Sequence, residues 1–361
     1  MRGYSVGAER GAAMRKQAWS IRPVANAELL RQVTAHLDSL TKPPGSLGRL
    51  EELVVRYCLC RGRADADIER AMVCTFAGDH GITEERITPY PSEVTAQMVA
   101  NMAAGGAAVS VMARAAGIES RVIDVGVKAG IPWAAGVVRR NVARGVRNSV
   151  RGPAMTTEEC DRAVDIGADI ARTARTDLLA VGDMGIGNTA ASSALYALLL
   201  ELDPTDTVGP GTGSAGAVLE RKREAVARAV ARHRAEWDGS PLDALRRVGG
   251  LEIAAMSGFL LAAAAGGVPV VVDGFIASVS ALIAMRMEPA VKDYLIFSHA
   301  SAEPFHRDFL AREGIRPLLD LDMRLGEGTG AVLAIQIMRQ ALNCYHNMAT
   351  FSSAGVSDKQ E

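Results

Sequence analysis

The stretch LLAVGDMGIGNTA, Leu178–Ala190, changes character twice in a few residues. Leu178–Val181 is apolar without alternation, the pattern of a strand covered on both faces. Gly182–Gly187 is a glycine-rich turn, and Ala191–Leu200 has helical spacing. A buried strand running through glycines into a helix is half of a parallel α/β unit. Glycines at such a turn let backbone N–H groups approach an anion, and the helix start favours negative charge. Gly185-x-Gly187-x-x-Ala190 also satisfies the dinucleotide fingerprint, but that motif needs a second strand ending in an acid about 20 residues on. Glu201–Asp206 is a turn instead, so a phosphate or ribose-phosphate site is preferred to NAD. The structural alternative is a tight turn with Asp183 or Asn188 capping the helix.

Similar apolar runs lie outward at Met72–Ala77, Val122–Val127, Val268–Val272 and Tyr294–Phe297. Helical segments such as Glu158–Thr173 and Leu219–Glu236 alternate with them. The alternation predicts an α/β fold with a large, doubly wound, mostly parallel sheet, whose ligands sit beyond the strands' carboxyl ends. Those ends carry Gly78-Asp79-His80-Gly81, Gly182-Asp183-Met184-Gly185, Asp273-Gly274 and Ser298-His299-Ala300-Ser301. Residues 21–60 read as helical apart from Lys42–Ser46. A last helix runs from near Thr329 to about Asn343, and the polar tail after Thr350 is expected to be mobile. Ile253–Val272 is long and apolar, but Gly258, Gly266, Gly267 and Pro269 break it. A helix, a Gly-Gly turn and a buried strand account for it better than a membrane span.

The 361 residues are 48% hydrophobic and 22% charged, which excludes wholesale disorder. A formal charge of −1 and 4% aromatic content argue against a nucleic-acid-binding protein or a base-stacking platform. Cys58, Cys60, Cys74, Cys160 and Cys344 have no disulfide-framework or zinc spacing, and reduced, mostly buried thiols point to a cytoplasmic protein. No structural metal is expected. Residues 1–20 lack the apolar core of a signal peptide.

Three further features bear on chemistry. Gly209-Pro-Gly-Thr-Gly213 precedes a helix carrying Lys222; only six of the 40 basic residues are lysines, so a retained one hints at an ammonium role, although a solvated charge is the commoner outcome. Arg324-Leu-Gly-Glu327-Gly-Thr-Gly330 sets one carboxylate between glycines ahead of a helix. Glu327 there suits a general base if burial raises its pKa, and equally a simple complement to the helix dipole. Asp79-His80 allows a metal or acid/base pair, but no third ligand follows, which favours a hydrogen-bonded loop dyad. No nucleophile elbow accompanies Ser298–Ser301.

Taken together, these segments resemble the nicotinate-nucleotide–dimethylbenzimidazole phosphoribosyltransferase family. The matching runs are KPPGSLGRLE at 42–51, FAGDHGI at 76–82, PSEVTAQM at 91–98, GDMGIGNTA at 182–190, VGG at 248–250, VVVDGFIAS at 270–278, SHASAE at 298–303 and MRLGEGTGA at 323–331, closed by His346-Asn347-Met348. The resemblance covers about residues 25–350. It implies transfer of ribose 5-phosphate from nicotinate mononucleotide to 5,6-dimethylbenzimidazole by a homodimer that needs no cofactor or metal. It further implies Glu327 as the base that takes the azole proton. Asp183, Gly185, Gly187, Asn188, Lys222, Ser301 and Gly326 would surround the nucleotide, and Ser92, Gln97 and Leu325 the aromatic base. Many relatives have Glu where this chain has Asp183, one methylene shorter. The implied layout is a large α/β domain over 66–319 and a smaller helical domain built from both chain ends, 25–65 with 320–350. Residues 1–24 form a poorly ordered extension and 351–361 a flexible tail. Two other functions stand beside this one: a nucleotide-dependent oxidoreductase using the Gly185 fingerprint, and a protein that binds a benzimidazole without turnover. The first lacks its acidic strand end, and the intact Gly326-Glu327-Gly328 loop speaks against the second.

Overall fold

In the computed structural model, which describes residues 19–131 and 136–357, six parallel strands form one sheet. They are β1 (Ala71–Gly78), β2 (Glu119–Gly126), β3 (Val137–Arg139), β4 (Leu178–Met184), β5 (Val270–Val272) and β6 (Leu295–Phe297), in the order β3-β2-β1-β4-β5-β6. Every neighbouring pair is parallel. β3 is the strand that the apolar runs did not reveal: it has three residues on an edge and stays partly exposed, so no continuous apolar run is required of it.

The period of two divides each buried strand between two cores. Met72, Cys74 and Phe76 of β1, with Leu179 and Val181 of β4, face the helices Thr157–Thr173, Asn188–Leu199, Leu251–Ala265 and Phe275–Met287. Ala71, Val73 and Ala77, with Leu178 and Ala180, face the helices Ala27–Ser39, Arg49–Arg61, Glu93–Ala103, Ala108–Ala115 and Thr329–Asn347. A slip of one residue would exchange the two sets, so the register is strongly specified. Helices from the two chain ends therefore share a core with one sheet face. His36 Nε2 lies 2.9 Å from the Tyr345 carbonyl oxygen and His346 Nε2 3.0 Å from that of Ala66.

Local signals set the element ends. Thr156 and Glu159 form a reciprocal capping box at Thr157–Thr173, and Gly62 closes Arg49–Arg61 in the left-handed conformation. Leu251–Ala265 is a buried core helix, followed by a turn at Gly266-Gly267 and then β5. Among the described residues, Glu93–Ala115 is the one stretch long and apolar enough to cross a membrane by composition, and here it is two helices broken at Gly105-Gly106. Phe351–Ala354 is a capped helical turn. Residues 1–18 of the expected N-terminal extension and 358–361 of the expected tail lie outside the described residues.

Candidate active site

The strand order reverses direction between β1 and β4, where open parallel sheets place their ligands. The loops after β4, β5 and β6 meet the segment Arg324–Gly328 there, and β1 touches it through Thr75.

Glu327 lies at the centre of that meeting. It is 3% exposed and has φ +65°, between Gly326 at +79° and Gly328 at +98°. Three successive left-handed residues turn the chain sharply into the helix Thr329–Asn347, and the non-glycine one costs about 1 kcal/mol or more. The loop can lie against β4 because residue 182 is glycine: a Cβ there would collide with the backbone of Glu327 and Gly328. The Glu327 N–H donates to the Asp183 carbonyl at 3.1 Å. Glu327 Oε2 is buried with no hydrogen-bond partner. Burial first, and then the charge of Asp273, push the Glu327 carboxyl up, while the Val109 backbone N–H opposes them.

Other acids crowd the same floor. Asp183 is fully buried; Asn188 Nδ2 donates to its Oδ2 at 2.9 Å, and its Oδ1 is unpartnered. Burial, followed by the charges of Asp273 and Glu252, holds the Asp183 carboxyl well above the usual carboxylate range. Asp183 and Asn188 thus pair with each other, and the helix Asn188–Leu199 is entered through Gly187 with no side-chain cap. Asp79 and His80 do not form the expected dyad. Asp79 accepts from Thr95 Oγ1 at 2.7 Å and from the Lys128 N–H at 2.8 Å, whereas His80 Nε2 lies 2.5 Å from Glu252 Oε1. The two adjacent side chains lie just beyond β1, and each finds a partner from a different element.

The cleft beside this floor is lined by Asp183, Gly185, Asn188, Ser301, Leu325 and Gly326, all six of them anticipated from sequence, and its lining stops at Gly326, one residue short of Glu327. Lys222 reaches the Gly209–Gly213 loop from behind. It is buried, and its Nζ donates to Thr189 Oγ1 at 2.9 Å and to the Gly209 carbonyl at 2.8 Å. Burial lowers the Lys222 ammonium to about 8, and the nearby Glu303 carboxylate resists that shift. Gly187 closes the turn at φ +98°. Ser92 and Gln97 do not line this cleft. They lie at and within the helix Glu93–Ala103, half-buried and exposed respectively. Thr95 of that helix accepts the Ile186 N–H at 3.1 Å and so ties the helix to the glycine turn.

Sequence inspection missed four participants. Thr75, inside the apolar run of β1, donates to the Glu327 carbonyl at 2.7 Å. Asp273 accepts the Gly328 and Ala331 N–H groups at 3.0 Å each. Glu252 pairs with His80, and Glu303 lines the cleft with both oxygens unpartnered. Only strand-end position flagged Asp273, and only the SHASAE run contained Glu303. No strand follows Asn188–Leu199 before β5, so the dinucleotide fingerprint lacks its acidic strand end here as well. Among the described residues, no group of three or more His, Cys, Asp or Glu side chains is placed to hold a metal ion. A wider groove of about 860 Å³ between the helices Ala27–Ser39 and Arg49–Arg61 gathers none of the anticipated residues.

The profile of the DBI_PRT family, described as a phosphoribosyltransferase, matches residues 22–356. A relative from Chlorobaculum tepidum, named nicotinate-nucleotide–dimethylbenzimidazole phosphoribosyltransferase, is 46% identical over 345 residues, covering 95% of this chain and 97% of its own. One of the same name from Chlorobium chlorochromatii is 48% identical over 340 residues, covering 93% and 96%. The crystal structure of CobT from Thermus thermophilus superposes with a TM-score of 0.87 at 46% identity, covering 92% of this chain and 100% of that one.

Proposed function

The chain belongs to the nicotinate-nucleotide–dimethylbenzimidazole phosphoribosyltransferase family, and from that premise we propose which of its groups carry the transfer. The reaction moves 5-phosphoribosyl from nicotinate mononucleotide to 5,6-dimethylbenzimidazole, giving α-ribazole 5′-phosphate and nicotinate. The donor's pyridinium is already an activated leaving group, so no strong general acid is required. Positive charge develops on the ribose as the C1′–N bond breaks. One azole nitrogen attacks from the opposite face and inverts β to α. The other nitrogen becomes acidic as the bond forms, and Glu327 accepts its proton. Such a base contributes typically 10²–10⁴-fold, and holding two substrates in register supplies much of the rest.

Asp183, Gly185, Gly187, Asn188, Ser301 and Gly326 hold the donor. The helix start at Asn188 and the Lys222 ammonium address its phosphate. Leu325 borders the base from the cleft; Ser92 and Gln97, which lie outside the cleft at the helix Glu93–Ala103, are assigned to the base by the family resemblance alone. The observation that carries this assignment is the unpaired, buried Glu327 oxygen at the turn beside the cleft. A carboxyl held above its ordinary pKa takes up a proton more readily near neutral pH. The deciding experiment is chromatography of nicotinate mononucleotide incubated with folded protein. Nicotinate and α-ribazole phosphate form only when 5,6-dimethylbenzimidazole is added; their absence contradicts the assignment.

The enzyme works as a homodimer in the cytoplasm. The five free thiols, four of them buried, suit a reducing compartment. Pairing is supported by the apolar stretch Glu93–Ala115, on which Val111 is exposed. Sedimentation of the chain as a monomer at micromolar concentration contradicts the dimer.

A further inference from the structure

We propose that Thr75 and Asp273 are positioning residues for the transfer, which together hold Glu327 in its left-handed conformation and aim its carboxylate at the azole. The inference rests on Glu327 being the base.

Three adjacent strands each contribute one hold. From β1, Thr75 Oγ1 donates to the Glu327 carbonyl at 2.7 Å. From β4, the Asp183 carbonyl accepts the Glu327 N–H at 3.1 Å. From the end of β5, Asp273 takes the Gly328 N–H on one oxygen and the Ala331 N–H on the other, each at 3.0 Å. Both backbone polar groups of Glu327 and the next N–H are therefore bound to the sheet. A strained backbone persists when its surroundings over-determine it, and this one is held from three strands at once. Thr75 and Asp273 are both completely buried, so water does not compete for these bonds.

The two residues differ in charge. Thr75 is neutral and acts through geometry alone. Asp273 also repels the Glu327 carboxylate and favours its protonated form. The other groups facing Glu327 are Asp183 on β4, itself buried and raised, and the Val109 backbone N–H at the start of Ala108–Ala115. His299 Nδ1 lies 3.8 Å from Asp273 and 2.9 Å from Ser298 Oγ, on the side of Asp273 that faces β6.

The test is kcat across pH with saturating nicotinate mononucleotide and 5,6-dimethylbenzimidazole. Thr75→Val is nearly isosteric and removes one hydrogen bond. It lowers kcat roughly tenfold, leaves the donor KM and the acidic limb where they were, and is rescued by Thr75→Ser. In a Glu327→Gln background the same change costs nothing further, because Thr75 acts through Glu327. Asp273→Asn lowers kcat and also moves the acidic limb to lower pH. Wild-type kcat in Thr75→Val, or an undiminished Thr75→Val effect in the Glu327→Gln background, overturns the role of Thr75. An unmoved limb in Asp273→Asn overturns that of Asp273. Wild-type turnover in Glu327→Gln alone refutes instead the assignment of Glu327 as base, and the clamp falls with it.

Discussion

The two edges of the sheet treat their buried polar groups differently. At the amino edge most of the bonds are closed, with the neutral Thr176 Oγ1 as the exception. Tyr57 OH donates to the Asp67 and Asp177 carbonyls at 2.9 and 3.3 Å, and Asp177 Oδ2 accepts the Arg70 N–H at 2.9 Å. At the carboxyl edge, Asp183 Oδ1, Glu252 Oε2, Glu327 Oε2 and both oxygens of Glu303 are buried without partners. Native proteins pair most buried polar atoms, so a cluster of unpaired ones marks where a ligand completes the bonding. The same fold thus carries a nearly finished edge that stabilises it and an unfinished, carboxylate-rich edge that works. The unfinished edge also concentrates carboxyls whose burial raises their pKa.

The sharpest break in that contrast is a substitution at the unfinished edge that removes function without removing the fold. Glu327→Gln keeps shape and volume and is expected to lower kcat by about 10²–10⁴-fold with little change in donor affinity. Steady-state kinetics with calorimetry of donor binding measures both. Loss of donor binding in step with kcat shows that the residue merely builds the pocket.

A smaller effect with the opposite sign for stability is expected at Asp183. Its folded pKa is raised, so its contribution to stability is complete below the unfolded carboxylate pKa and declines as pH rises above it. Asp183→Asn removes that penalty, raising Tm by roughly a few degrees at pH 8 and by less at pH 5, while weakening the donor site. Calorimetric scans at the two pH values check the sign. A lower Tm at pH 8 shows that the carboxylate is stabilising and that the edge is not strained.

The control at the finished edge is the smallest change. Tyr57→Phe removes an OH bonded to two carbonyls and is expected to cost about 1–2 kcal/mol of stability with kcat unaltered. Denaturant unfolding and turnover of the same preparation separate the two. A tenfold fall in kcat there erases the distinction between the edges.

Much of this architecture was legible from the residues. Apolar runs without alternation announced the buried strands, and their glycine-rich ends announced the site. Leu178–Val181 is a strand as expected, but the strand runs on through Met184, so only Gly185–Gly187 of the expected Gly182–Gly187 turn lies outside it, because pairing with β1 carries the ladder through Gly182 and Asp183. β3 was not legible, since three residues on an exposed edge need no apolar run. The participation of Thr75 was hidden for a different reason. A threonine within Met72–Ala77 suits a strand for its branched side chain, and its hydroxyl role depends on a carbonyl 252 positions away. Glu252, in the first turn of a helix, reads as a complement to the helix dipole until folding brings His80 to it. Lys222 was visible as a rare lysine, but its burial between Thr189 and Gly209 is a tertiary fact.

The most direct measurement is the pH dependence of kcat for the wild-type enzyme and for Glu327→Gln. With Glu327 as the proton acceptor, turnover rises with pH along a limb displaced above the ordinary glutamate range, and the residual activity of the variant has no such limb. The same limb surviving unchanged in Glu327→Gln would show that the azole proton goes elsewhere.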